Sequence, residues 1–316
     1  MDRKELVKKV YQSGHLLTIE NEFYHARAMS YLDEKLKRDI GKGDITARLV
    51  AYGIYDKAII KAKQAGIIAG LEEVVEFYKK NDISATASCK DGDKVESGEE
   101  ILLLEGRTYD LLVAERTGLN FLQMMSGIAT NTKKYVDISS KYHVAVSSTR
   151  KESIDELLEK KAVFVGGGYT HRLGLDGFVL IKDNHLTAMR NEGIICPIST
   201  AIDRIHASDY CGAAEIEVTA MEEALLAAKK FKAYGGLDGK NIPIIMLDNM
   251  APKQIKNIID EIKRYALIEL SGNIELDNIE DYAELGADVI STSKLNCDAR
   301  KLDLSQKILR RWTPQK

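Results

Sequence analysis

From Val144 onward the chain repeats one pattern, a short apolar run followed by a stretch with helical apolar spacing. The runs are VAVSST, FVLI, AEIEV, IPIIML, ALIEL and DVIST, and between them lie SIDELLEKKAVFV, MEEALLAAKKFKAY, PKQIKNIIDEIKRY and LDNIEDYAELG. Parallel neighbours cannot be joined by a tight turn and need a crossover, usually a helix. The alternation therefore predicts an α/β fold with parallel strands and helical crossovers. Six runs are fewer than the eight of a closed barrel, so either a strand is hidden or the barrel is incomplete.

The first half reads differently. Apolar spacing in LVKKVYQ and FYHARAMSYLDEKL predicts helices over the first 35 or so residues, and the two glycines of DIGKGDITARLV predict a tight turn into a helix or strand. DKAIIKAKQAG reads as strand and LEEVVEFYKKN as an amphipathic helix. In KDGDKVESGEEILLLEG, turns set around short apolar strands predict a hairpin, without the modifiable lysine of a biotinyl or lipoyl arm. YDLLVAERTGLNFLQMMSGIATNTKKYVDIS reads as one long helix bridging two domains.

Polar residues follow the strands of the second half in step. VAVSST leads to Arg150 and Lys151, FVLI to Lys182, Asp183, Asn184 and His185, and AEIEV contains Glu217. IPIIML leads to Asp248 and Asn249, ALIEL to Ser271 and Gly272, and DVI to Ser291, Thr292 and Ser293. Strand C-termini of a parallel barrel converge on one face, where active sites are built. Arg150, Lys151, His171, Arg172 and Lys182 form a cationic set suited to carboxylate and phosphate oxygens. Glu217 and Asp248 suit sugar hydroxyls or a magnesium ion, and Ser271-Gly272-Asn273 can cradle a phosphate on backbone N–H groups. Together they predict a sugar phosphate carrying further anionic groups.

Composition narrows the classes. A formal charge of −3 over 316 residues gives no whole-protein reason to expect nucleic acid or membrane binding. No run approaches the roughly 18 apolar residues of a membrane span, the charged start lacks a secretory pattern, and a cytoplasmic protein is expected. Cys89, Cys196, Cys211 and Cys297 are scattered without a CxxC pair, which predicts free thiols rather than a structural zinc site.

DIGKGDIT (39–46), AERTGLNFLQMMSGIAT (114–130), STRK (148–151), GGGYTHRLGL (166–175), LIKDNH (180–185), EIEV (215–218), IMLDNM (245–250), ELSGNI (269–274) and, more loosely, ADVIST…LDLS occur in an order that resembles the quinolinate phosphoribosyltransferases, the carboxylating nicotinate-nucleotide diphosphorylases. The resemblance runs from about Lys37 to Leu304. It implies an N-terminal α/β sandwich over 1–128 and an open, seven-stranded α/β barrel over 129–316, with the C-terminal tail packing back on the first domain. It implies a homodimer or higher homo-oligomer with shared active sites, in which Arg116 reaches the neighbouring site to hold a substrate carboxylate. Arg150, His171 and Arg172 would hold the two carboxylates of quinolinate. Lys151 and Lys182 would face the reacting centre and pyrophosphate, Glu217 and Asp248 the ribose hydroxyls and Mg2+, and Ser271, Gly272 and Asn273 the 5′-phosphate, with Ser291 and Ser293 beside it.

Plainer roles exist for several of these residues. Arg116 could pair with Glu115, His185 could merely orient its loop, Glu217 could be an inward strand residue satisfied by a lysine, and Asp248 could cap the helix after it. Asp39 and Asp44 read as structural turn residues. Two segments depart from the family pattern. Glu152-Ser153-Ile154-Asp155-Glu156 replaces a Thr-Pro-Gly-Leu-Arg type segment and sets three acids beside the cationic site, and Ser291-Thr292-Ser293 replaces Ser-Val-Gly, with Lys294 able to compensate. The runner-up function is therefore a paralogous transferase of the same fold acting on another aromatic or heterocyclic acid. A Schiff-base lyase using Lys182 and a non-enzymatic binding protein are the remaining alternatives.

Overall fold

The computed structural model describes residues 2–51, 53–151 and 154–309. Its strands are β1 (Tyr55–Ala62), β2 (Gly66–Ile67), β3 (Ser84–Ala87), β4 (Lys94–Val95), β5 (Glu100–Arg107), β6 (Ala145–Ser147), β7 (Val179–Ile181), β8 (Ala213–Val218), β9 (Ile242–Asp248), β10 (Leu267–Ser271), β11 (Val289–Ser291) and β12 (Leu304–Ile308). Two compact units emerge, one from Met1–Ser13, Lys134–Glu152 and Gly168–Leu295, the other from Gly14–Lys133, Ser153–Gly167 and Asn296–Lys316. The expected long helix is present as Thr108–Ser139 and passes through the boundary at 133/134.

The first unit carries the parallel strands. Their order is β6-β11-β10-β9-β8-β7, every pair parallel. All six runs read from the sequence are strands. A single parallel bridge between Ser147 and Tyr169 adds a seventh position beside β6. Among the described residues no ladder joins the Tyr169 segment to β7, so the barrel is open at this seam. Here the Arg172 guanidinium donates to the Phe178 carbonyl at 3.0 Å.

Side chains at alternate strand positions share a face, and the inward face of these strands is layered. Ala213, Ile244, Leu267 and Val289 form an apolar floor with Phe178 and with Leu6, Val7 and Tyr11 of helix Arg3–Tyr11. Complete burial of each such large side chain contributes about 1.5–3 kcal/mol. Arg3 fixes that helix under the strands: its Nε and one terminal nitrogen donate to the two Asp288 oxygens at 2.5 and 2.6 Å, and the terminal nitrogens also reach the Lys263 and Ala266 carbonyls at 2.8 and 2.7 Å. Two residues further along β8 and β10 come Glu215 and Glu269, both fully buried. Another two residues on come Glu217 and Ser271, at the strand ends.

In the second unit β12-β1-β5-β3 form an antiparallel sheet. Helix Leu71–Lys80 packs on it through Leu71, Val74, Phe77 and Tyr78, and Asp91 accepts from the Gly70 and Leu71 N–H groups at its start. The hairpin expected in KDGDKVESGEEILLLEG does not form. β4 pairs with β2, whereas β5 pairs with β1 and β3, because the Gly98-Glu99 backbone bonds to Ala62 and hands the chain to a different sheet. The DIGKGDIT turn leads into helix Ile45–Val50, whose first turn Asp44 caps through the Ala47 N–H at 2.9 Å. PKQIKNIIDEIKRY is not one helix but two, Pro252–Lys256 and Ile259–Ile262. Ile255, Ile258, Ile259 and Ile262 are all buried, and a continuous helix would spread the adjacent pair Ile258-Ile259 over about 100° of its surface.

Candidate active site

The ladder registers carry Asp248, Ser271 and Ser291 to one level, and Glu217 and Lys182 to another, beside Met246. Asp248 pairs with Ser271, Ser271 with Ser291, and Ser291 with Ser147, all at strand C-termini. Glu217 lies beside Met246 on the neighbouring strand, and Lys182 follows directly on the Ile181–Ile216 pair. Burial raises the Glu217 carboxyl above its ordinary range, the Asp248 charge pushes it further, and Lys182 and Lys151 oppose that rise. Glu217 thus lies within electrostatic reach of three other predicted residues that come from three different loops. Arg150 is exposed, one residue before Lys151. Lys182 and Lys151 thus act on the Glu217 carboxylate as the lysine-satisfied role expects.

Asp248, Asn249, Ser271, Gly272 and Asn273 are knitted together. The Asn249 side-chain amide donates to Asp248 Oδ2 at 2.6 Å, the Asn249 N–H donates to the Ser271 carbonyl at 2.9 Å, and the Asn273 amide donates to Asn249 Oδ1 at 3.0 Å. Asn249 and Asn273 adopt φ of 54° and 53°, left-handed backbone that asparagine tolerates better than most residues. Gly272 has φ +94°, and a Cβ there would sit 2.4 Å from Asn249 Oδ1. Both facts require glycine. Asp248 is not the cap of the following helix, which begins after Ala251, because Asn249 and Met250 intervene and the Asp248 carboxylate turns back to Asn249.

The last strand behaves otherwise than its substitutions suggest. The Thr292 hydroxyl donates to the Ile274 carbonyl at 2.7 Å and tethers the two final loops. Lys294 pairs with Glu275 at 2.9 Å, and Ser293 is half-buried between them in sequence. His185 Nδ1 accepts the Lys182 N–H at 2.9 Å and caps helix Asp183–Asn191, which is the loop-orienting role. Of the replaced segment, Glu152 and Ser153 lie outside the described residues. Asp155 caps helix Glu156–Val165 and pairs with Arg27, and Glu156 faces Lys160 at 3.9 Å. Asp155 is thus held by its own helix and by Arg27, within the second unit.

His171 and Arg172 are buried inside the barrel unit, 5% and 7% exposed. His171 adopts φ 55°, a strained backbone for a residue with a Cβ. Its Nε2 stands 3.3 Å from Glu269 Oε2 and 3.7 Å from Glu215 Oε2. Burial drives the Glu215 carboxyl far above its ordinary range, and the Glu269 charge adds to this. Burial acts upward on Glu269 too, but His171, Ser291 and Tyr11 together draw the carboxyl below its ordinary range. Two carboxylates this close in an apolar interior do not both ionise readily, and their surroundings push the two in opposite directions. Neither glutamate was singled out by sequence, although a charged residue inside an apolar strand, two positions before a rim residue, was the available signal.

Arg116 belongs to the second unit. It is exposed and lines a cleft of about 370 Å³ there with Lys35, Arg38, Asp39, Asn120 and Lys301.

A parallel barrel breached at one seam, with lysines, carboxylates and a positive-φ turn at its strand ends, defines an incomplete α/β-barrel architecture. The comparisons carry this to a family. The chain belongs to the quinolinate phosphoribosyl transferase family, whose C-terminal domain matches residues 128–307 and whose N-terminal domain matches residues 44–126. It is 36% identical over 291 residues to a probable carboxylating nicotinate-nucleotide pyrophosphorylase of Methanothermobacter thermautotrophicus, covering 89% of this chain and 98% of the relative. It is 32% identical over 287 residues to the chloroplastic carboxylating nicotinate-nucleotide pyrophosphorylase of Arabidopsis thaliana, covering 86% and 80%. The solved nicotinate-nucleotide pyrophosphorylase of Francisella tularensis superposes with a TM-score of 0.78 at 32% identity, covering 89% of this chain and 96% of that one.

Proposed function

We propose that this protein transfers the phosphoribosyl group of phosphoribosyl pyrophosphate to the ring nitrogen of quinolinate, and that nicotinate mononucleotide, carbon dioxide and pyrophosphate result. The observation that carries the reading is the convergence on Glu217, at the strand ends of a barrel of this family, of Lys151, Lys182 and Asp248. The pyridine nitrogen attacks C1 of the ribose as pyrophosphate leaves, and positive charge builds on the ring. Glu217 and Asp248 lie where they stabilise that charge and take the ribose hydroxyls, while Lys151 and Lys182 offset the charge of the departing pyrophosphate. Arg150, His171 and Arg172 hold the carboxylates of the acid, and Ser271, Gly272 and Asn273 take the 5′-phosphate with Ser291 and Ser293 alongside. The quaternised ring then stabilises the electron pair left on C2 when the 2-carboxylate departs as carbon dioxide, and a proton from water takes up that pair. Placement and electrostatics suffice, without a side-chain nucleophile.

Magnesium suits the oxygen donors of Glu217 and Asp248, where burial and then the Asp248 charge raise the Glu217 carboxyl. When bound, it would neutralise pyrophosphate charge. We read the working form as a homo-oligomer. Helix Ile45–Val50 turns Ile45, Leu49 and Val50 outward, each 69–75% exposed, an apolar face that a second copy would cover. In that assembly Arg116, with its cationic neighbours, would supply a substrate contact to the adjoining copy. Four free cysteines suit the cytoplasm, and no described helix is long and apolar enough to cross a membrane.

The test is an assay of the purified protein with phosphoribosyl pyrophosphate, magnesium and a panel of pyridine mono- and dicarboxylates. Pyrophosphate and carbon dioxide released together with quinolinate are expected. Turnover confined to a different acid would transfer the reading to a paralogous activity of the same fold.

A further inference from the structure

Beneath the rim, the barrel interior holds a layer of charge that the chemistry proposed above does not use. Glu215 stands two residues before Glu217 on β8, and Glu269 two residues before Ser271 on β10. Each buried acid is therefore one side-chain layer below a rim residue on the same inward face. Among the described residues no oxygen of either carboxylate has a hydrogen-bond partner of good geometry, and none is accessible to solvent. The groups facing them are His171 Nε2 at 3.3 and 3.7 Å, the Arg172 guanidinium, whose charge acts on Glu215, the Tyr11 phenol from below and Ser291 from β11.

A cluster of His171, Glu215 and Glu269 has the composition of a metal site, but its surroundings argue otherwise. The Tyr11 ring meets the imidazole edge-on at 5.3 Å between centroids, and the Phe178 ring lies against it at 5.2 Å. One histidine nitrogen and two carboxylates fall short of the roughly six oxygens that a hard divalent ion takes. The His171 imidazole and the Arg172 guanidinium, from adjacent residues of one strained segment, already face the two acids. His171 Nδ1 is buried and has no hydrogen-bond partner among the described residues.

We propose that Glu215 and Glu269 are positioning residues, which grip His171 and Arg172 from inside the barrel and fix the direction in which both present themselves to the carboxylates of the acid substrate. This rests on the phosphoribosyltransferase reading above. The left-handed backbone at His171 is the cost of aiming two consecutive side chains inward, and the acid pair holds that conformation in place. Binding of the acid depends on the buried pair; binding of the phosphoribosyl donor does not.

The experiment compares the parent enzyme with Glu269→Gln and Glu215→Gln, which keep side-chain size, under steady-state conditions with each substrate varied. Weakening the charge-assisted support behind the binding residues should raise the KM for quinolinate roughly 10- to 100-fold. The KM for phosphoribosyl pyrophosphate should stay within about twofold, and Glu269→Asp should recover part of the loss. Equal rises in both KM values, or no change in either, would overturn the proposal, since general loosening or irrelevance would then explain the layer. A parent enzyme inactive with every pyridine acid would instead sink the phosphoribosyltransferase reading itself. Should the glutamine variants not fold, the parent labelled with 15N-histidine decides. A slowly exchanging His171 N–H that shifts on adding quinolinate supports the grip, and one that exchanges freely with solvent refutes it.

Discussion

Both units bury carboxylates, and they do so to different ends. In the barrel unit Glu215 and Glu269 lie one layer under the rim, opposed by His171 and Arg172 from a strained segment. In the other unit Glu73 is fully buried on helix Leu71–Lys80, where the Tyr24 hydroxyl donates to its Oε1 at 2.5 Å. Lys161 is engaged by neighbouring Glu72, and Asp91 by the helix start. Burial, reinforced by Asp91, lifts the Glu73 carboxyl to about 7. One acid layer adjoins groups that would touch substrate, and the other only stitches a helix to its surroundings. Burial of charge is thus not itself a sign of catalysis; what distinguishes the two is where the opposing cations point.

That contrast can be broken at either end. Lys182→Ala, at the rim, should lower kcat by about 10²- to 10³-fold with an unchanged melting temperature, as expected for loss of a group acting on developing charge. A variant as fast as the parent would remove Lys182 from the chemistry. Glu73 should register in stability alone. A carboxyl raised in the folded state favours folding below its ordinary value of 4.5 and loses that contribution as pH rises through about 7. The loss is about 3 kcal/mol at 1.36 kcal/mol per pH unit. Denaturant titrations at pH 5 and pH 8 should show it in the parent and not in Glu73→Gln, whose kcat should match the parent; equal slopes would place Glu73 in a wetter setting than its burial indicates. Gly272→Ala should cost about tenfold in phosphoribosyl pyrophosphate affinity, from a strain of one to two kcal/mol at φ +94°. Asp44→Ala removes a helix cap in the second unit and should lower stability by about 1 kcal/mol without touching turnover.

Much of the barrel was legible because parallel strands, buried on both faces, are written as continuous apolar runs, and the residues just after them are written as charge. All six runs became strands, and the polar residues that follow them lie at adjoining strand ends. The seventh position was illegible because at Tyr169 it is a single bridge inside GGGYTHR, with no apolar run to announce it. Glu215 and Glu269 escaped notice because a strand read as apolar absorbs one charged letter without losing its pattern. The supposed hairpin of 90–106 failed for a different reason: turn residues specify a reversal locally, but which edge each arm then meets depends on Ala62, nearly forty residues earlier. The split of PKQIKNIIDEIKRY likewise reflects tertiary packing overriding a plausible helical period.

The anchoring of Arg3 on Asp288 has a consequence in time. The two residues are 285 positions apart, so during synthesis the first helix leaves the ribosome long before its seat exists. At rates of about 5–20 residues per second, the interval is roughly 15 to 60 seconds. Through that wait the floor under Leu6, Val7 and Tyr11 is incomplete, Leu267 and Val289 being the last of it to be made.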